Sequence, residues 1–296
     1  MSRAAEARGL WLGLLGVAIF AMTLPMTRLA VGAGGPAQLS GEFVAMGRAV
    51  VAGLLSIAYL LATRAPWPRR EDLPSLLWTG GGVVLGFPLF TSLALLQVEA
   101  VHASVVVGLL PMATAALGAR LHRQRPSAGF WLCATLGCAL VVGFALWRAG
   151  GLALHAADLL LLAAVGCAAV GYGHGGLLSQ RMRAEHVICW ALVIFLPVTL
   201  PLAGWVRPQA PVSPAAWGAF AYVAVFSMWL GFFAWYRGLA LGGTVRVSQV
   251  QLVQPFLSML FAVPLLDERL DLVTLGFSVA VIATVFIGRR MPVRPA

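Results

Sequence analysis

Apolar runs, each about as long as a bilayer-crossing helix and separated by short gaps rich in arginine, proline and glycine, make up almost the whole chain. A helix rises ~1.5 Å per residue, so about 20 apolar residues cross a hydrocarbon core of ~30 Å. On that measure the pattern predicts ten spans, at 9–31, 40–62, 75–97, 100–119, 128–147, 157–179, 186–206, 215–237, 244–266 and 271–288. The first follows Arg3 and Arg8, but its apolar run is too long for a signal peptide and contains Pro25 and Arg28, so it reads as a span.

The ninth span differs from the others. A tight Gly242-Gly243 turn precedes it, and Thr244, Ser248, Gln251, Gln254, Pro255 and Ser258 then fall within an arc of roughly 120° at 100° per residue, while Leu252, Val253 and Leu260 point elsewhere. Pro255 donates no backbone hydrogen bond, so the carbonyl of Gln251 is expected to be free on the polar face. Such a group is tolerated at membrane depth only against protein or a water-filled cavity.

The same arrangement occurs earlier. The offset that sets Pro111 on Pro255 also sets Leu95 on Leu239 and Ser104 on Ser248, which divides the chain into repeats at 1–150 and 151–296. Five spans per repeat is an odd number, so the halves are expected to insert with opposite orientation, the plan of many secondary transporters. The connection at 148–157 is too short to join independent domains. The expected fold is therefore one all-α integral membrane domain of ten helices in two inverted five-helix repeats.

Charge fixes the sidedness. All 20 basic residues are arginine. Five of them (Arg28, Arg48, Arg148, Arg207 and Arg269) fall on one side of the alternating loops, and the rest lie on the side that holds both ends of the chain. The positive-inside rule then makes both termini cytoplasmic. The exclusive use of arginine, with abundant Ala, Gly and Leu, suggests a GC-rich bacterial genome and hence the bacterial inner membrane.

Composition agrees: 60% of the 296 residues are hydrophobic and 10% charged, and mean hydropathy is +0.91, which excludes an ordinary soluble globule. The net charge of +10 is scattered over short loops and forms no basic stripe, so nucleic acid is not an expected partner. Cys133, Cys138, Cys167 and Cys189 lie inside apolar runs without His or acidic residues at metal-ligand spacing, and read as buried hydrophobes. No catalytic motif, P-loop or dinucleotide fingerprint is present, so no catalytic residue, metal or cofactor is expected.

Candidate chemistry is sparse. The acids Glu42, Glu99, Asp158, Asp267, Glu268 and Asp271 all sit at span ends or in loops, so no midplane carboxylate is expected to carry protons. His174 lies deep in span six in Gly171-Tyr172-Gly173-His174-Gly175-Gly176, as an interhelical hydrogen-bonding group or a solute contact. Arg28 is expected to snorkel and Arg48 to pair with Glu42, with guanidinium recognition of a solute carboxylate as the alternative. Trp229 and Phe233, one turn apart, read as an interfacial belt or as a pocket lining. Helix breakers in spans three, six and seven read as close packing or as gates.

Phe20-Ala21-Met22-Thr23-Leu24-Pro25-Met26-Thr27-Arg28, the Gln254-Pro255 pair and Asp267-Glu268-Arg269-Leu270, in this order over ten spans, resemble the EamA-type family of the drug/metabolite transporter superfamily. The resemblance covers essentially the whole chain. It implies a bacterial inner-membrane carrier, frequently an exporter of amino acids or other small metabolites, working by alternating access between the halves. Pro111 and Pro255 match its repeated prolines, and Glu268 its acidic position before the last span. Gln124 stands where the first half often has an acid, which favours an orienting role for Glu268.

The expected function is export of a small amino acid, amine or drug-like solute. Tyr172, His174, Ser248, Gln251, Gln254, Ser258, Ser104, Thr114 and Trp229 are the candidate binding residues, and Pro25, Pro88, Pro111 and Pro255 the kinks that gate them. The expected partners are that solute and the lipid bilayer, with a homodimer also allowed. A membrane-embedded enzyme acting on a lipid or small apolar substrate and a non-transporting sensor are the rival classes.

Overall fold

The computed structural model describes residues 3–32, 38–121, 124–148, 155–242, 247–288, 291 and 293–295. Among these, ten helices follow in order. α1 runs over Arg3–Ala21 and, past a turn at Met22, Thr23–Val31. α2 is Gly41–Ala62, α3 Arg70–Ala94, α4 Ala100–Leu121 and α5 Ala128–Arg148. α6 is Ala156–Leu178, α7 Ala184–Trp205, α8 Pro214–Gly242, α9 Gln254–Leu266 and α10 Leu272–Gly288. α1–α4 and α6–α8 are long and apolar enough to cross a membrane; α9 and α10, at 13 and 17 residues, are shorter than the spans the apolar pattern predicts.

Regular helix fails at specific places. In α9 the expectation of a free Gln251 carbonyl is overturned: Ser248–Val253 tightens into a 3₁₀ turn, and the N–H of Gln254 reaches the Gln251 oxygen. The shorter i→i+3 bond takes up the acceptor that Pro255 cannot satisfy. α4 breaks before Pro111 in the same way, with the N–H of Leu109 on the Val106 carbonyl at 3.1 Å and that of Met112 on Leu109 at 3.1 Å. α3 carries a π-helical stretch at Gly80–Gly86, just before Pro88, and α8 another at Val223–Leu230. An all-helical reading also omits one short element: β1 (Gln124–Pro126), after α4, pairs antiparallel with β2 (Val293–Pro295), after α10.

Packing rests on small residues. Gly9 and Gly13 of α1 lie one turn apart and face Gly238 and Gly242 of α8, so a methyl group on Gly9 would sit 2.5 Å from the Gly242 nitrogen and one on Gly238 2.7 Å from the Gly13 nitrogen. In lipid, where apolar side chains gain little by association, such close backbone approach supplies the packing energy between helices. The glycines of α6 serve the same purpose: Gly171 packs against Thr79 and Val83 of α3, and Gly175 seats the ring of Tyr236, whose hydroxyl donates to the Gly171 carbonyl at 3.2 Å. Leu61, Leu132, Leu260, Leu272, Trp67 and Trp205 point outward and largely exposed, an apolar surface suited to lipid and its interface.

Contacts at the ends of the bundle put Gly9, Gly242 and the Glu185–Arg237 ion pair (2.7 Å) at one end, with β1 and β2. The other end holds Arg28, Gln38, Asp158 and Glu268. Both chain ends therefore lie at the same end of the bundle.

Candidate functional site

About halfway between these ends, six helices leave a narrow crevice with about 20 Å³ of free space. α1 supplies Phe20 and Thr23, α2 Arg48, α3 Val83 and Phe87, α6 Tyr172, α8 Ser227, Met228 and Phe232, and α9 Gln254. The first half contributes three helices and the second half three. Val83, Ser227 and Met228 belong to the two π-helical stretches, whose extra residue per turn swings side chains inward that a regular helix would leave elsewhere. The Thr23 and Ser227 hydroxyls bond each other at 2.7 Å across α1 and α8. Phe20, Tyr172, Phe232 and Trp235 form a packed aromatic cluster beside them, with Phe20 and Phe232 centred 5.0 Å apart and Tyr172 and Trp235 5.4 Å.

The polar wall is underbonded. Arg48 is 1% exposed, and its Nε and Nη1 have no hydrogen-bond partner; Oε1 of Gln254 has none either. The expected Glu42–Arg48 pair does not form, because Glu42 sits in the first turn of α2 and is exposed, whereas Arg48 lies almost two turns deeper. A buried charge left without a counter-charge costs about 3–5 kcal/mol, so an unpaired guanidinium here stands at a place of strain.

Arg28 and Glu268 form a clamp at the end of the bundle away from Gly9 and Gly242. Arg28 does not snorkel to solvent: its Nε contacts Glu268 Oε1 at 2.9 Å, and Nη1 donates to the carbonyl of Leu95 at 3.2 Å and to that of Val98. Glu268 in turn accepts the N–H groups of Ala100 at 2.9 Å and Val101 at 2.8 Å, capping the first turn of α4, where the helix dipole favours a carboxylate. Glu268 thus orients α4 and Arg28, the role that Gln124, in place of an acid in the first half, favours for it. Burial pushes the Glu268 carboxyl above the ordinary glutamate range, opposed by the two N–H bonds and by Arg28. Beside this clamp, His102 Nε2 and Asp158 Oδ1, both buried, sit 2.7 Å apart and join α4 to α6.

Of the residues expected to bind solute, the structure brings Tyr172 and Gln254 together on the crevice. His174, two residues beyond Tyr172, faces about 200° away, with Nδ1 3.5 Å from Ser75 Oγ and its ring stacked on Trp78 at 6.1 Å. Gln251 is buried with both amide atoms unbonded but is not part of the crevice wall; Thr114 is likewise buried with its hydroxyl unbonded. Ser258 donates to the Ala21 carbonyl at 2.7 Å and Ser104 to that of Ala100 at 2.7 Å. Trp229 packs on Tyr59 and Phe233, with ring centres 6.1 and 4.9 Å away. Thr244 and the side chain of Ser248 lie outside the described residues. Val253 and Leu260 face outward, as the helical phase predicts.

Sequence reasoning missed Thr23, Ser227, Phe20, Met228 and Phe232 as wall residues. Thr23 stands two positions before Pro25 and so was legible as part of a kink, but Ser227 enters through a π-turn with no proline or glycine run to announce it. Among the described residues no group of three His, Cys, Asp or Glu is placed to hold a metal.

Comparison with known proteins gives three findings. The description of the EamA-like transporter family matches twice, over residues 7–146 and 155–288. The uncharacterized transporter YdeK of Bacillus subtilis (strain 168) is 42% identical over 280 residues, 94% of this chain and 96% of that protein. One crystal structure superposes with a TM-score of 0.64 at 20% identity, covering 97% of this chain and 96% of its own, and so shares the fold.

Proposed function

Since the chain belongs to the EamA-like transporter family, we propose that it carries a small metabolite out of the cell by alternating access, with the central crevice as the transport site. It is a multi-pass membrane transporter and not an enzyme. The observation that carries the proposal is the crevice itself: three helices from each half meet there, and the Arg28–Glu268 clamp joins the two halves toward one end of the bundle. A site between two halves that rock against each other can face either side in turn, and the clamp is the contact that has to part for one of those faces to open.

Ten spans in two oppositely inserted repeats, at 1–150 and 151–296, accommodate these features. The family description fits once in each half. The π-stretches of α3 and α8 and the proline breaks of α4 and α9 fall on corresponding helices. The two breaks also meet in space, since a methyl on Gly108 would lie 3.5 Å from Pro255 Cγ. The arginine bias sets the termini on the cytoplasmic side of a bacterial inner membrane. Tyr172 and Gln254 are the solute-binding residues of this scheme, joined by Thr23 and Ser227.

Counterflow in proteoliposomes, run against a panel of labelled metabolites with and without a pH gradient, tests the proposal. Accumulation of at least one labelled solute supports it. Absence of movement for the whole panel, or an impermeant reagent reaching the two termini from opposite faces, sinks it.

A further inference from the structure

The geometry points to an anionic carboxylate on the transported solute, held by Arg48. This inference rests on the crevice being the transport site and deepens it by naming the substrate class. Arg48 is a fixed cation, buried from solvent, lining the crevice with two nitrogens unbonded. A guanidinium presents parallel donors in a plane, the geometry that a carboxylate accepts through both oxygens. Buried cations are kept paired, and among the described residues no acid pairs with Arg48: Glu42 is turned to the surface, while Glu268, Asp158 and Glu185 are engaged elsewhere.

The rest of the wall says what is attached to the carboxylate. Among the described residues no Asp or Glu lines the crevice, so a solute ammonium finds no counter-charge from them. Phe20, Val83, Phe87, Met228 and Phe232 give an apolar wall opposite the cation, and Gln254 leaves an amide oxygen unbonded for a single neutral donor. The free space, about 20 Å³, holds little more than one water, so the walls have to part around a bound solute. The solute this lining suits is a monocarboxylate with an aromatic or branched aliphatic body, and a bare inorganic anion would waste most of that wall.

Arg28, the other cation near the crevice, does not compete for the role, because the clamp occupies it on three sides. The surface hollow between Trp67, Arg69, Arg181 and Arg183 does not take the role either, because its arginines are solvent-exposed and nothing fixes them on one ligand.

The test uses the purified full-length protein in detergent and three compounds with one body: phenylacetate, its neutral amide phenylacetamide, and the cation phenethylamine. A small series of other aryl and branched alkyl monocarboxylates accompanies them. Thermal stabilisation against concentration gives the apparent affinity. Phenylacetate or another member of the acid series is expected to bind about 30-fold or more tightly than its amide, the factor a desolvated charge pair supplies. The amine is expected to give no response, Arg48→Gln to abolish the acid response, and Arg48→Lys to retain a weakened one.

Equal responses to acid and amide, a response to the amine, an equal response to chloride, an unchanged acid response in Arg48→Gln, or silence from the whole acid series overturns the inference. The wild-type comparison of acid, amide and amine stands even if Arg48→Gln fails to fold. Counterflow of a neutral or cationic solute without any acid response removes the anion and leaves the carrier. An acid response through Arg48 with no counterflow of any solute does the reverse.

Discussion

The hydroxyl of Ser258 in α9 donates to the carbonyl oxygen of Ala21 in α1 at 2.7 Å. Ala21 is four residues before Pro25, so its carbonyl is the one that the proline ring leaves without a partner. The second half of the chain thus repairs the kink in the first. Ser258→Ala removes the donor and leaves a buried acceptor, and is expected to lower stability in detergent by about 1–3 kcal/mol, with Ser258→Thr recovering part of it. A melting curve of the purified variants decides this, and an alanine variant as stable as wild type would mean that the carbonyl finds water instead.

The clamp makes a second prediction. Glu268→Ala removes the counter-charge of Arg28 and the cap of α4 together. Each 1.4 kcal/mol taken from the closed state raises the open population about tenfold. In a chain freed of its native cysteines, Ser227→Cys is expected to react about tenfold faster with an impermeant thiol reagent when Glu268→Ala is present, and only from the face opposite the termini. An unchanged rate would show that some other contact closes that end.

Glu268 also gives the clamp a pH dependence of definite sign. Burial raises its carboxyl above the value it has in the unfolded chain, near 4.3 for an ordinary glutamate. The folded clamp therefore binds the proton more readily than the unfolded chain. The stability this contributes is fully present below the unfolded value and is lost as pH rises through the higher folded one. Melting temperatures of wild type and Glu268→Gln, compared from acid to neutral pH, are expected to diverge on the way up, with wild type losing ground. Parallel curves would remove the linkage.

Much of this architecture was legible because lipid imposes simple rules. Apolar runs of fixed length gave the helices, and the offset between Pro111 and Pro255 pointed to corresponding breaks. The phase of α9 placed Gln251, Gln254 and Ser258 inward and Val253 and Leu260 outward. What escaped was what depends on departures from regular helix. The 3₁₀ turn before Pro255 consumed the Gln251 carbonyl, and the π-stretches rotated Val83 and Ser227 into the crevice. Tyr172 and His174 were read as facing together, although two residues on a helix point to opposite walls. The destiny of each charge also depended on partners far away in sequence, as the Arg28–Glu268 contact shows.

Close backbone packing of α1 on α8 predicts a steep penalty for bulk. Gly238→Leu would drive a side chain into the Gly13 backbone, where a methyl already meets nitrogen at 2.7 Å, and no flexible side chain can yield. The expected outcome is loss of monodisperse protein on extraction. Gly204→Ala in α7, where a methyl meets nothing within 4 Å, is the control, expected to be neutral or more stable by up to about 1 kcal/mol from helix propensity alone. Normal yield from Gly238→Leu would mean that the two helices separate more easily than their glycines suggest.

The crevice wall separates two residues that the sequence alone treats alike. Gln254 offers an unbonded amide oxygen to the cavity, while His174, on the far side of α6 from Tyr172, is spent on Ser75 and Trp78. A neutral hydrogen bond contributes about 0.5–1.5 kcal/mol, so Gln254→Ala is expected to raise the KM of counterflow about three- to tenfold with little change in maximal rate. Tyr172→Phe keeps the ring in its aromatic cluster and tests the hydroxyl alone, with an effect of similar or smaller size. His174→Ala is expected to leave KM within error. A shifted KM in His174→Ala together with a silent Gln254→Ala would move the binding site from the crevice to the α3–α6 seam, and the wall described above would then serve packing only.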